Sequence, residues 1–213
     1  MAAALGRAPT HYYMVPLTIL GIDPGTKEMG LAVIRGPQLI AFGVRTIRGR
    51  TGPSDLIGQA RRVVLLSIEE HNPDLVAIEA PLLVPTKRAA LLSVITQELH
   101  ARARQLGLAV RELSPAQIRQ AVVGNPKATK LDVARALVAH GFAELGPKLP
   151  TPPARAALGF RPKDKYWLHM FDALALAVAV RDFRRTMAAP GIHSLSSREG
   201  VHPPTRPRVP ALR

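Results

Sequence analysis

Asp23, Glu79 and Asp172 each end or sit inside an otherwise apolar stretch, and His169 stands three positions before the last of them. An ionised carboxylate among apolar side chains is costly unless a cation meets it. Three of them in one chain therefore point to a metal site. The spacing of His169 and Asp172 puts both on one face of a helix, where the imidazole could ligate metal or carry a proton. A carboxylate-rich donor set suits hard cations, Mg2+ or Mn2+, better than zinc. Two such ions per site would activate a water and steady the leaving oxygen of a phosphodiester.

Each of these residues also has a duller explanation. Asp23-Pro24-Gly25-Thr26 has the composition of a tight turn, Glu79 could be a solvated strand end, and His169 with Asp172 could be a satisfied core pair. The chemical reading gains from context. Asp23 follows LTILGI and Glu79 follows LVAI, and ligands of α/β sheets collect beyond strand ends. Asp172 is followed by ALALAVAV, so its helix is flanked by core.

Composition agrees with a polyanionic partner. The 213 residues carry 29 basic and 15 acidic side chains, a formal net charge of +14. Residues 1–16 contribute only Arg7 and residues 186–213 a net of three charges, so the excess belongs to the body of the chain. A basic body around an acidic centre is what a nucleic-acid enzyme requires. The chain has no cysteine, which removes disulfides, thiolate zinc sites and a thiol nucleophile, and fits a reducing compartment. The longest apolar runs are too short or too interrupted by charge to span a bilayer, and the first residues do not resemble a signal peptide. A soluble, cytoplasmic protein without membrane contact is expected.

The elements that must position these residues follow from periodicity. Strands are expected at 17–22, 29–34 and 38–47, close enough for an antiparallel meander, then at 75–79 and 108–113. Helices are expected from Asp55 to Glu70, from Thr86 to Leu106, after the Ser114 cap with Pro115 first, and from Thr129 to His140. Residues 141–164, with five prolines and three glycines, read as a long loop. A last helix from Lys165 to Arg185 is too apolar around its circumference for a surface position. Together these predict one mixed α/β domain over residues 17–185, with disordered extensions at 1–16 and 186–213.

The segments GIDPGTKEMGLAVI, VAIEAP, AQIRQAVVGNPKATKLDVARAL and HMFDALALAVA, in that order, resemble the RuvC family of Holliday junction resolvases. The resemblance runs from residue 17 to residue 182. It implies an RNase H-like fold, a mixed five-stranded sheet flanked by helices. It also implies that Asp23, Glu79, His169 and Asp172 are the catalytic and metal-binding set, His169 at a position that is aspartate or histidine in the family. Arg119 and Lys130 fall where the family places basic residues near the scissile phosphate. Lys127, then Arg161 and Lys163 of the 141–164 loop, and Lys165 at the start of the last helix complete the DNA-binding candidates. Family members act as homodimers that cut two symmetric strands of a four-way junction with magnesium, beside a branch-migration motor.

Two features depart from or extend the pattern. Where the family has an aromatic residue soon after the glutamate, this chain has Ala80-Pro81-Leu82-Leu83, which puts base stacking there in doubt. The loop before the last helix is longer than is typical and leads to Tyr166 and Trp167, which could stack on a DNA strand or anchor the helix. The helix over 86–106 carries an apolar stripe of Leu92, Ile95, Leu99, Ala103 and Leu106, broadened by Leu91 and Val94, that could serve a dimer contact. The alternatives to a resolvase are a relative cutting other branched DNA and a nuclease-derived binding protein without activity. An actin-like ATP-binding fold would share the Asp-x-Gly-Thr turn but needs a second lobe, for which the chain is too short.

Overall fold

The computed structural model describes residues 16–48, 52–81, 85–151 and 162–188. The chain folds as β1 (Thr18–Asp23), β2 (Glu28–Arg35), β3 (Gln38–Thr46), α1 (Pro53–His71), β4 (Leu75–Glu79), α2 (Lys87–Gln105), β5 (Ala109–Leu113), α3 (Pro115–Val123) and α4 (Lys130–Ala139). A short 3-10 helix (Ala143–Lys148) and a long α5 (Pro162–Ala188) follow. The expected mixed five-stranded sheet is present, in the order β3-β2-β1-β4-β5. The first three strands form the antiparallel meander, while β4 and β5 run parallel to β1.

Alternation along the strands divides the interior into two layers. Ile19, Ala32, Ile34, Leu75 and Ala77 face one core together with α3, α4 and α5. Leu20, Ile22, Leu31, Val33, Val76 and Ile78 face the other, against α1 and α2. Burial on both faces explains why β1, β2 and β4 read as continuous apolar runs.

The local signals at helix ends are also realised. Ser114 with Gln117 and Thr129 with Asp132 form capping boxes, each satisfying otherwise orphaned backbone N–H groups. Thr86 caps α2 by accepting from the Ala89 N–H. The region 141–164 is less irregular than expected, because residues 143–148 form a 3-10 turn and α5 begins at Pro162. Proline at a first helical position is pre-set for the helix, so the cue that marked a loop also starts α5. At its other end α5 continues to Ala188, three residues past the expected boundary at Arg185. Residues 1–15, 152–161 and 189–213, and with them Arg161 and most of both expected extensions, lie outside the described residues.

Helix α5 is the central element. Its residues from Ala173 to Val180 are all buried, packed between the sheet on one side and α3 and α4 on another. Two glycines set how close it comes. A methyl on Gly21 would fall on the carbonyl oxygen of Ala173, and a methyl on Gly30 on that of His169. Gly21 lies in register with Ala32 of β2 and Ala77 of β4, so a row of small residues crosses three strands beneath Ala173 and Ala177. The helix backbone thus rests almost directly on the strands.

Gly30→Ala is therefore expected to destabilise by about 3 kcal/mol or more, the upper end of overpacking costs. Gly58→Ala, at a position in α1 with nothing near the added methyl, is expected to gain about 0.5 kcal/mol from reduced chain entropy. Urea unfolding of the two variants beside the parent checks both signs.

Candidate active site

The end of the sheet where β1 and β4 finish gathers the acidic residues. Asp23 is the last residue of β1 and pairs in register with Gly30. Gly21 pairs with Ala77 and Ile22 with Ile78, which places Glu79 level with Asp23, one residue beyond the last paired position. Asp23 shares a strand face with Gly21, and Glu79 with Ala77, so both carboxylates face the layer that contains α5. Because Gly30 lacks a side chain, His169 can sit over the same row, and Asp172 follows one helical turn later.

The result is a compact donor set. One ligand atom each from Asp23, His169 and Asp172 lie within 4.8 Å of one another. His169 Nδ1 meets Asp23 Oδ2 at 2.7 Å. Asp23 is buried although it is a carboxylate, and it is half-enclosed by an open cleft of about 290 Å³ that continues past Glu79, Ala80 and Pro81 to Arg88 and Leu92. Glu79 is not part of the tightest group, but it lies level with Asp23 and lines the same cleft.

Burial, then the charges of Asp23 and Asp172, push the Glu79 carboxyl up to about 8 from an ordinary 4.5. Burial and Asp23 likewise raise Asp172, to about 6 from 3.8, even though Lys130 and His169 oppose the shift. The His169 imidazole is raised chiefly by its hydrogen bond to Asp23, against the effect of burial. Lys130 Nζ donates to Asp172 Oδ2; burial disfavours the ammonium, yet this pair holds its pKa above the ordinary value. Two side-chain cations thus partly offset a cluster that holds more negative charge than it can keep ionised near neutrality. Hard oxygen donors with one nitrogen, and a carboxyl that retains its proton for want of positive charge, fit a divalent cation.

The basic candidates divide. Lys130, the first residue of α4, reaches the centre through Asp172, and Arg119 of α3 is near enough to lower the Glu79 pKa. Lys127 is exposed in the turn before α4, its N–H bonded to Asn125 Oδ1 at 2.9 Å. Lys163 and Lys165 are exposed on the opening turn of α5, a turn or more before His169. Tyr166 and Trp167 anchor that helix. Tyr166 donates its hydroxyl to the Val44 carbonyl at 2.9 Å, and the Lys148 ammonium lies 4.0 Å from the Trp167 ring centroid. One face of the indole is therefore already used by a cation within the chain.

One residue at the centre escaped the sequence reading. Glu28 Oε2 lies 3.4 Å from His169 Nε2. The signal was a carboxylate opening an apolar strand five positions after Asp23, in a hairpin whose register returns the chain to the same end of the sheet.

A sheet in this order, with carboxylates at the ends of its first and fourth strands and a long last helix bearing Asp172 across it, has the RNase H-like fold. The family model described as crossover junction endodeoxyribonuclease RuvC matches residues 19–146, and the chain belongs to that family. Relatives bearing the same description include one from Cytophaga hutchinsonii, 36% identical over 136 residues, covering 62% of this chain and 68% of that protein. Another, from Bacteroides fragilis, is 35% identical over 121 residues, covering 54% of this chain and 64% of its own length. The structure is similar in fold to that of T. thermophilus RuvC in complex with Holliday junction substrate, with a TM-score of 0.62 and 24% identity over 80% of this chain and 96% of that one.

The electrostatics make a signed prediction. Because the folded state raises the Glu79 and Asp172 pKa values, metal-free stability is penalised as pH rises from the ordinary carboxyl range towards 8. In chelator, Glu79→Gln should melt above the parent, the gap widening from pH 5 to pH 8 by about 2–4 °C for each kcal/mol regained. Saturating Mg2+ should shrink or reverse the gap, and calorimetry at pH 7 in buffers of different ionisation enthalpy should detect protons released on Mg2+ binding.

Proposed function

We propose that this chain is a metal-dependent, structure-selective DNA endonuclease that resolves four-way junctions by symmetric paired nicks. The observation that carries the proposal is the convergence of Asp23, His169 and Asp172 from two distant parts of the chain, with Glu79 level with Asp23. The basic body of the chain supports a polyanionic substrate, and the relatives' shared description supports a crossover junction as its form.

In this reading Asp23, Glu79, His169 and Asp172 hold one or two Mg2+ or Mn2+ ions. Bound divalent cations supply Lewis-acid polarisation of the scissile phosphate and neutralise its developing charge. The side chains do the rest. Glu79, once bound cations displaced the proton it retains up to about 8 in the metal-free chain, would take a proton from the attacking water. That water's oxygen bonds to phosphorus, the phosphorus–oxygen bond of the leaving strand breaks, and a proton returns to the leaving oxygen. Lys130 would turn from Asp172 to a phosphate oxygen once a cation takes over that carboxylate. Arg119 would act as a second phosphate contact, and Lys127, Arg161, Lys163 and Lys165 would bind the flanking backbone.

Two-fold symmetry of the substrate calls for two active sites, which a homodimer provides. Helix α2 supplies the candidate surface. Ile95, Leu99 and Ala103 are consumed by packing on the sheet, whereas Val94 is 48% and Leu106 37% exposed. Action in the cytoplasm beside a branch-migration motor completes the proposal. Among the described residues, no helix is long and apolar enough to cross a membrane.

The test is cleavage of end-labelled four-way junction, duplex and single strand with Mg2+, Mn2+ or chelator. Paired nicks at symmetric positions of the junction are expected, falling by at least about 100-fold in Asp23→Asn while junction binding persists. Binding without cutting under every metal would leave a junction-binding protein, and equal cutting of all three substrates would remove junction selectivity. Lys130→Ala should lower the cleavage rate by about 10- to 100-fold without abolishing Mg2+ binding, as loss of a transition-state contact requires.

A further inference from the structure

Glu28 meets the acidic centre at His169. Its Oε2 stands 3.4 Å from His169 Nε2, while Nδ1 of the same ring meets Asp23 Oδ2 at 2.7 Å. The imidazole therefore bridges two carboxylates, one inside the donor cluster and one outside it.

The backbone makes this bridge possible. Glu28 opens β2 two positions before Gly30, so alternation puts both on the face beneath α5. The bare Gly30 brings the His169 backbone onto that strand, and the ring then reaches Asp23 on one side and Glu28 on the other.

An imidazole nitrogen binds a cation through its lone pair, and the neutral ring that offers a lone pair at one nitrogen carries its proton at the other. A carboxylate that accepts the distal N–H fixes the tautomer and the ring's rotation. We propose that Glu28 is the positioning residue of His169: it accepts the Nε2–H and keeps Nδ1 turned toward Asp23 and Asp172 for a divalent cation. With a cation bound, Nδ1 would offer its lone pair, the proton shared with Asp23 would be lost to solvent, and the Nε2 proton would remain with Glu28. This deepens the metal-site reading and rests on it.

The test uses the full chain without DNA, so it does not depend on junction cutting. Mg2+ binding is measured by calorimetry, and the His169 tautomer by 15N NMR of histidine-labelled protein saturated with Mg2+. In the parent, Nε2 should carry a proton protected from exchange. Glu28→Ala should weaken Mg2+ binding by about 10-fold or more and lose that protected proton. Glu28→Gln, whose side-chain oxygen still accepts an N–H, should restore both to within about threefold of the parent. Unchanged Mg2+ affinity in Glu28→Ala, equal weakening in both variants, or a proton on Nδ1 in the Mg2+-saturated parent would overturn the assignment. Should Glu28→Ala fail to fold, the parent spectrum and Glu28→Gln still decide it. A parent that binds no Mg2+ would sink the metal reading itself, whereas a parent that binds with an indifferent Glu28→Ala would sink only the role of Glu28.

Discussion

Helix α5 lies with its backbone against β1 and β2, and everything at the active centre depends on that close approach. Helices ordinarily pack on sheets through interdigitated side chains, which hold the two backbones further apart. Here carbonyl oxygens of His169 and Ala173 occupy the space that side chains at Gly30 and Gly21 would take. Steric exclusion of this kind is steep. It fixes both the height and the register of α5, and with them the places of His169 and Asp172 relative to Asp23.

The same arrangement holds opposing charges in tension. Carboxyls raised to about 8 and about 6 mean that the metal-free protein keeps protons it would lose in water. Lys130 and His169 relieve part of that tension, and both are groups that a substrate phosphate or a cation could claim instead. The core of α5, buried through Ala173–Val180, supplies the apolar stabilisation against which the acidic centre is held. Charge and packing thus fall on successive turns of one helix: His169 and Asp172 join the acidic cluster, and the turns that follow fill the core.

Much of the architecture was legible in the residues. Doubly buried strands declare themselves as unbroken apolar runs, and Ser114, Pro115 and Thr129 mark helix starts through chemistry local to a few residues. The order of elements and the five-stranded sheet followed. Local cues were weaker where one residue serves two structures. Pro162 counted toward a loop and yet begins α5. Tyr166 and Trp167 read either as stacking on a strand or as anchoring, and their partners, the Val44 carbonyl and Lys148, show the anchoring use.

Asp23, Glu79 and Asp172 stand out in the sequence because a carboxylate beside apolar residues is anomalous, and His169 by its spacing from the last of them. Their company does not. Glu28 also opens an apolar strand, but its relation to His169 arises across 141 positions of chain from hairpin register and a missing side chain at Gly30. Lys130 reached Asp172 in the same way, through the packing of α4 on α5. Sequence determined which groups were costly enough to require a purpose. Tertiary structure decided which of them meet, because distances between remote segments are set by backbone contact and register, which no local pattern encodes.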